Sequence, residues 1–269
     1  MKTKSKKVKF VLAVALAVVV VGVGAALYFS EDKVVPEDVK NVATVVVIAG
    51  EEYLSDETSL VLPYTGLTDG DVEIIANSFT DLELLDISDN PKITNIAPLA
   101  KLKTLKDLSV YTTQVSDVSA IGELTELESL VLGTSKIQDI TPLAKLKNLT
   151  FLTLYNKEVS DLSPLSKLTQ LKTLHVGSVY TKTLTDLRPL AALTNLTYLG
   201  IIEAPGVKDI SPLADLKNLD ELHLSDLNIS DLSSIAGLTR LKKLYLYNNK
   251  TSVTDWSPVA HVPDVDGRP

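Results

Sequence analysis

The chain has 269 residues, 45% of them apolar, with 26 basic and 34 acidic side chains and no cysteine. That composition can enclose a core of domain size, and it excludes disulfides, thiol nucleophiles, cysteine metal sites and lipidated-cysteine anchors. With the five leading lysines set aside, 21 basic residues face 34 acidic ones, a net of −13 that disfavours nonspecific attraction to nucleic acid or anionic lipid.

Residues 1–9 carry Lys2, Lys4, Lys6, Lys7 and Lys9 and no acid, and residues 10–29 are twenty uninterrupted apolar residues. As a helix this run spans roughly 30 Å, the thickness of a hydrocarbon core. It reads as an uncleaved transmembrane signal anchor. The alternative is a cleaved signal peptide, whose apolar region usually runs about 7–15 residues. Small Gly24, Ala25 and Ala26 suit cleavage, but Leu27-Tyr28-Phe29 beyond them do not. By the positive-inside rule residues 1–9 form a cytoplasmic tail and the remainder lies outside. No sorting motif or apolar tail closes the chain, so residues 10–29 are the expected anchor.

Residues 30–54 read as a charged connector and N-terminal cap. Within them the β-branched run 42–48 is expected to pair as an edge strand over the first repeat, because a solenoid end needs covering. Asp69 to Phe79 follows as a helix with acids in its first turn.

Residues 55–262 repeat one phrase, clearest between Leu127 and Leu149. There Leu130 and Leu132 alternate with Val131, the period of a strand with one buried face. Ile137 and Ile140 turn inward after it. Thr141-Pro142 then starts a helical turn, with the threonine hydroxyl as expected cap. Leu143, Leu146 and Leu149 return with a second apolar face. A single copy cannot enclose this surface, whereas stacked copies can. Leu85, Leu108, Leu130, Leu152, Leu174, Leu199, Leu222 and Leu244 mark eight copies at steps of 22 to 25 residues, and Leu60 opens a degenerate ninth. Residues 263–269, beyond Pro263, are expected to fray.

The leading pattern L-x-x-L-x-L-x-x-S-x-I resembles a leucine-rich repeat. Its second half narrows the resemblance: Val115-Ser-Asp117-Val118, Ile137-Gln-Asp139-Ile140, Val207-Lys-Asp209-Ile210 and Ile229-Ser-Asp231-Leu232, with Pro142-Leu143-Ala144 or Pro212-Leu213-Ala214 after it. This form is similar to bacterial internalin-like repeats and to those of a eukaryotic phosphatase regulator. The resemblance implies an α/β fold, a curved solenoid with a parallel concave β-sheet and 3₁₀ or short-helix turns on the convex side. It also implies binding of other proteins. The usual asparagine ladder survives only at Asn90 and Asn249. The helical cap and the immunoglobulin-like unit of internalins have no recognisable counterpart.

The chemistry points away from catalysis and cofactors. Asp117, Asp139, Asp161, Asp186, Asp209, Asp231 and Asp255 form a column headed by Asn95. Calcium needs six to eight converging oxygens. One carboxylate per turn suits an acceptor for backbone N–H groups better. His175 and His223 share a strand position two repeats apart, roughly 10 Å, which is too far for one zinc ion. No nucleophile elbow, phosphate loop or carboxylate pair is present. The glycosylation triplets at Asn148, Asn195, Asn228 and Asn249 follow from the repeat consensus.

The strand phase turns a different set outward. With Leu108 and Val110 inward, Tyr111 points out, and the same phase adds Phe151, Thr153, Tyr155, His175, Tyr198, Ile202, His223, Tyr245 and Tyr247. Exposed aromatic columns mark protein-binding surfaces, although aromatic residues also suit strands for their own sake. Three extra residues between Val176 and Leu184 place Tyr180 and Lys182 on the adjoining rim, either against a partner or as a tolerated insertion. The expected function is therefore a membrane-anchored extracytoplasmic binding protein for a protein or peptide, with a glycan as second candidate. An intracellular scaffold like the phosphatase regulators, or a secreted form, is the alternative.

Overall fold

The computed structural model describes residues 43–133, 136–156, 158–177, 184–249 and 253–266. The tail, the apolar run 10–29, Ser135, Tyr180 and Lys182 lie outside the described residues. Among those described, no helix is long and apolar enough to cross a membrane.

Ten short strands form one parallel sheet: β3 (Ser59–Val61), β4 (Leu84–Asp86), β5 (Asp107–Ser109), β6 (Ser129–Leu132), β7 (Phe151–Tyr155), β8 (Thr173–Gly177), β9 (Tyr198–Ile202), β10 (Glu221–Ser225), β11 (Lys243–Tyr245) and β12 (Asp264–Asp266). Each pairs only with its neighbours in sequence, as stacked repeats require. At about 4.8 Å per strand the sheet is on the order of 45 Å long. Register aligns the leading leucines throughout, for example Leu130 with Leu152 and Leu152 with Leu174. The expected phase is the observed one: Leu130, Leu132, Ile137, Ile140, Leu143, Leu146 and Leu149 are each at most 2% exposed.

Return segments are 3₁₀ turns such as Thr141–Lys145 and Ser163–Lys167. Proline at the second position, Pro142 or Pro164, fixes φ and lacks an N–H that would have no partner within the turn. The cap differs from expectation. Asp139 Oδ1 accepts from Thr141 N, and in the same way Asp117 accepts from Ser119 N, Asp161 from Ser163 N, Asp186 from Arg188 N, Asp209 from Ser211 N, Asp231 from Ser233 N and Asp255 from Ser257 N. Asn95 does the same for Ala97. The hydroxyls of Ser163 and Ser233 donate to the aspartates and not to the turns.

These hydrogen bonds hold several aspartates below the usual carboxylate value of 3.8. At Asp117, Asp139 and Asp255 the side-chain bond leads, and at Asp209 and Asp231 the backbone bond leads. A carboxylate with a lowered folded pKa adds stability that is present above its unfolded value and is lost as pH falls through the folded one. The melting temperature should therefore hold from neutral pH to about 5 and fall below about 4. Calorimetry across that range checks it. Asp209→Asn, copying Asn95, keeps a neutral acceptor but not the charge, so it should lower the neutral melting temperature slightly and soften the acid limb.

Two terminal expectations are corrected. The described part of the run at residues 42–48 does not extend the main sheet. Instead β1 (Val45–Ile48) pairs antiparallel with β2 (Glu51–Leu54) as a separate hairpin, closed by Ala49 and Gly50, both at positive φ. Its Val46 and Ile48 face inward, and β1 lies against α1 (Asp69–Ser78), the expected helix. Hydrophobic covering at the end of the repeats thus comes through a helix, and among the described residues no strand pairs with the outer edge of β3. At the other end Asp264–Asp266 is no frayed tail, because β12 pairs with β11 and sets Val265 against the core.

Candidate functional site

Register gathers the outward residues into columns. One runs Ser129, Phe151, Thr173, Tyr198, Glu221 and Lys243; beside it run Val131, Thr153, His175, Gly200, His223 and Tyr245. Tyr155, Gly177, Ile202 and Ser225 follow in a third.

The rings of the first two columns interleave. Phe151 to His175 is 6.0 Å between centroids, His175 to Tyr198 4.5 Å, Tyr198 to His223 5.1 Å and His223 to Tyr245 4.0 Å. Tyr247 continues the series at 6.5 Å from Tyr245, and Tyr155 meets His175 edge-on at 6.2 Å. Seven of the residues expected from sequence thus touch in one ladder. Tyr111 stands apart from it, and Ile202 lies in register with Gly177. Thr153 was expected to be open but is only 8% exposed, beside His175 in register and between Phe151 and Tyr155 along its strand.

A missing side chain makes room for this interleaving, and two more glycines admit close neighbours beside it. A Cβ at Gly200 would lie 3.3 Å from His175 Nδ1 and 3.4 Å from the Tyr198 ring, so the ring occupies the space a side chain would take. At Gly133 a Cβ would collide with the Tyr111 ring, and at Gly177, with φ +149, it would collide with the Ile202 carbonyl. These three glycines were not singled out from sequence. The available signal was a missing side chain at an outward strand position.

Electrostatics keep the ladder neutral apart from one cluster. Burial, then the neighbouring His223, lowers the pKa of His175. Burial and then Glu221 push Tyr198 up to about 12, so its hydroxyl remains a donor. His223 Nε2 lies 2.6 Å from Glu221, which also meets Lys243 at 3.6 Å. The Tyr198 ring separates the two histidines. Among the described residues no group of three or more histidines or carboxylates gathers to hold a metal.

The rim past the strands has its own regularity. Tyr64, Asp89, Thr112, Glu203, Asp226 and Asn248 occupy the same repeat position with φ between 54 and 59. Aspartate and asparagine tolerate this conformation, whereas β-branched threonine is strained in it. Thr112→Asn should raise stability by about 1 kcal/mol, read as a higher thermal midpoint. Tyr64, 79% exposed, also went unnoticed in the sequence; its hydroxyl bonds Asp89, which raises its pKa.

The ladder of buried polar groups is partly rebuilt. Asn90 is fully buried, Thr113 takes the equivalent place and bonds the Val110 carbonyl, and Ala204 and Leu227 fill it with apolar atoms. The four triplet asparagines all donate side-chain amides to backbone carbonyls: Asn148 to Thr125, Asn195 to Thr169, Asn228 to Pro205 and Asn249 to Leu224. Their recurrence therefore has a structural cause.

Residues 217–261 match the family model for leucine-rich repeats in two copies. No curated protein matches the chain. A leucine-rich repeat protein of Leptospira interrogans is similar in fold, at 22% identity and TM-score 0.54, over 72% of this chain and 56% of that one. Internalin C2 of Listeria monocytogenes str. 4b F2365 is 36% identical with TM-score 0.63, over 70% of this chain and 80% of that one. On that identity and coverage, the chain belongs to the internalin-like family of bacterial leucine-rich repeat proteins.

Proposed function

We propose that this protein is a membrane-anchored, extracytoplasmic binding protein that takes a protein or peptide on the open, concave face of its repeat domain. The ring ladder carries this reading. Its members are only half-buried and the leucines on the other side of the sheet form the core without them. They are already in contact, so binding orders little that was free. Family membership supports a protein-interaction role, and the lysines of residues 1–9 with the apolar run 10–29 support the anchor and its orientation.

The Tyr155→Ser, Tyr245→Ser double variant should weaken ligand binding at least about tenfold, as loss of hot-spot rings does, with little change in the circular-dichroism melt. A large fall in the melt would make the rings structural. Topology is tested separately by protease treatment of intact cells. Degraded repeats with protected residues 1–9 fit the proposal, whereas survival of both until lysis overturns it and directs the search to a cytoplasmic partner.

A further inference from the structure

The open face is uneven. Along β6 the outward residues are Ser129 and Val131, and Gly133 follows directly after the strand, so no bulky side chain stands there. On one side stand two carboxylates: Asp107, in register with Ser129, and Asp86, two strands from β6 in the column of Ser109 and Val131, where its Oδ1 already accepts from Ser88 N and Oγ. On the other stand Phe151 and Tyr155, where the ladder begins. Asp107 and Phe151 flank Ser129 in one column, two strand spacings or about 10 Å apart. The result is a trough with an acidic wall, an aromatic wall and a floor of small side chains.

Charge on this face is lopsided. The outward strand positions hold Asp86, Asp107, Glu221, Asp264 and Asp266 against one ammonium, Lys243, which already meets Glu221 at 3.6 Å. The Asp107 backbone N–H donates to the Glu83 carbonyl, whereas its carboxylate takes part in no hydrogen bond or ion pair among the described residues. Lys106, whose charge it feels, is turned to Glu83 at 3.0 Å. On its β8 side Phe151 meets His175, whereas on its β6 side the register places only Ser129 beside it.

We propose that the trough along β6 seats a cationic side chain, lysine or arginine, of the protein ligand; this rests on the open face being the binding face. The apolar stem lies on Val131 and the Phe151 ring, which attracts a cation through its π face. The charged head bonds Asp107, with the charge of Asp86 diagonally across on the next strand, and charge-assisted bonds of this type are about twice as strong as neutral ones. Tyr111, lying over Gly133, closes the rim end of the trough.

The test is fluorescence anisotropy of a labelled, end-capped tri-arginine peptide with the intact chain in neutral detergent at low salt. Tri-arginine should bind, tri-glutamate should not, and added salt should weaken binding. Asp107→Asn, which keeps the shape, should weaken it about tenfold, and Phe151→Leu severalfold. Asp215→Asn, an exposed acid outside the sheet, should leave it unchanged. Absence of tri-arginine binding, or equal losses in Asp107→Asn and Asp215→Asn, overturns the proposal. Binding weakened by Tyr245→Ser but not by Asp107→Asn overturns the trough and leaves the binding face standing. Binding indifferent to every open-face substitution overturns both.

Discussion

Alanine at Asn90 is expected to destabilise the N-terminal repeats by about 3–5 kcal/mol. Its side chain is fully buried, and Nδ2 donates to the carbonyls of Leu62, Ile87 and Ser88 while Oδ1 accepts from Gly66 and Leu67. One amide thus satisfies five backbone groups from two consecutive repeats. Each such group left buried without a partner costs about 1–3 kcal/mol, and water entering from the nearby solenoid end relieves part of the sum. Hydrogen exchange gives the most direct measurement: the amides of Gly66 and Leu67 should lose protection ahead of the central strands. A loss below about 1 kcal/mol would mean that water replaces the side chain almost fully.

Leu152→Ala should cost about 2–5 kcal/mol and, in addition, change the form of the unfolding curve. Leu152 is fully buried and held in register between Leu130 and Leu174. Hydrogen bonds on both sides prevent those strands from closing on a cavity. Because a repeat contacts only its neighbours, weakening the middle interface uncouples the two ends. A urea titration should therefore broaden or split into two steps, where the parent chain shows one. A change near zero would place Leu152 on the opposite face of the strand.

Much of this fold was legible because the repeat states its own phase many times. One strand such as Leu130-Val131-Leu132 is ambiguous, but eight aligned copies are not. The aspartate turns were legible for the same reason, and the cap assignment to Thr141 failed only in choosing between adjacent oxygens. Failures cluster where repetition stops. The strand Glu51–Leu54 reads EEYL, without alternation or β-branched residues, and only its partner Val45–Ile48 makes it a strand. Asp264–Asp266 followed a proline and carried two acids, yet the open edge of β11 recruited it. For the site, side-chain direction followed from period two, so the ring set could be named in advance. Its interleaving could not, since that depends on Gly200, which lacks the side chain that would have crowded His175 and Tyr198.

The aspartate-capped turn also bears on how this surface changes over evolutionary time. Every rung of the ring ladder sits on a repeat that carries its own aspartate cap, its own inward leucines and its own backbone hydrogen bonds to the repeat before. Duplication or loss of one 22-residue unit therefore adds or removes a rung while the remaining contacts keep their geometry. The reach of the surface can be rescaled in steps of one strand spacing, independently of which residues each rung presents. Reach and selectivity are thus separate variables, the first set by the number of genetic copies and the second by point substitution.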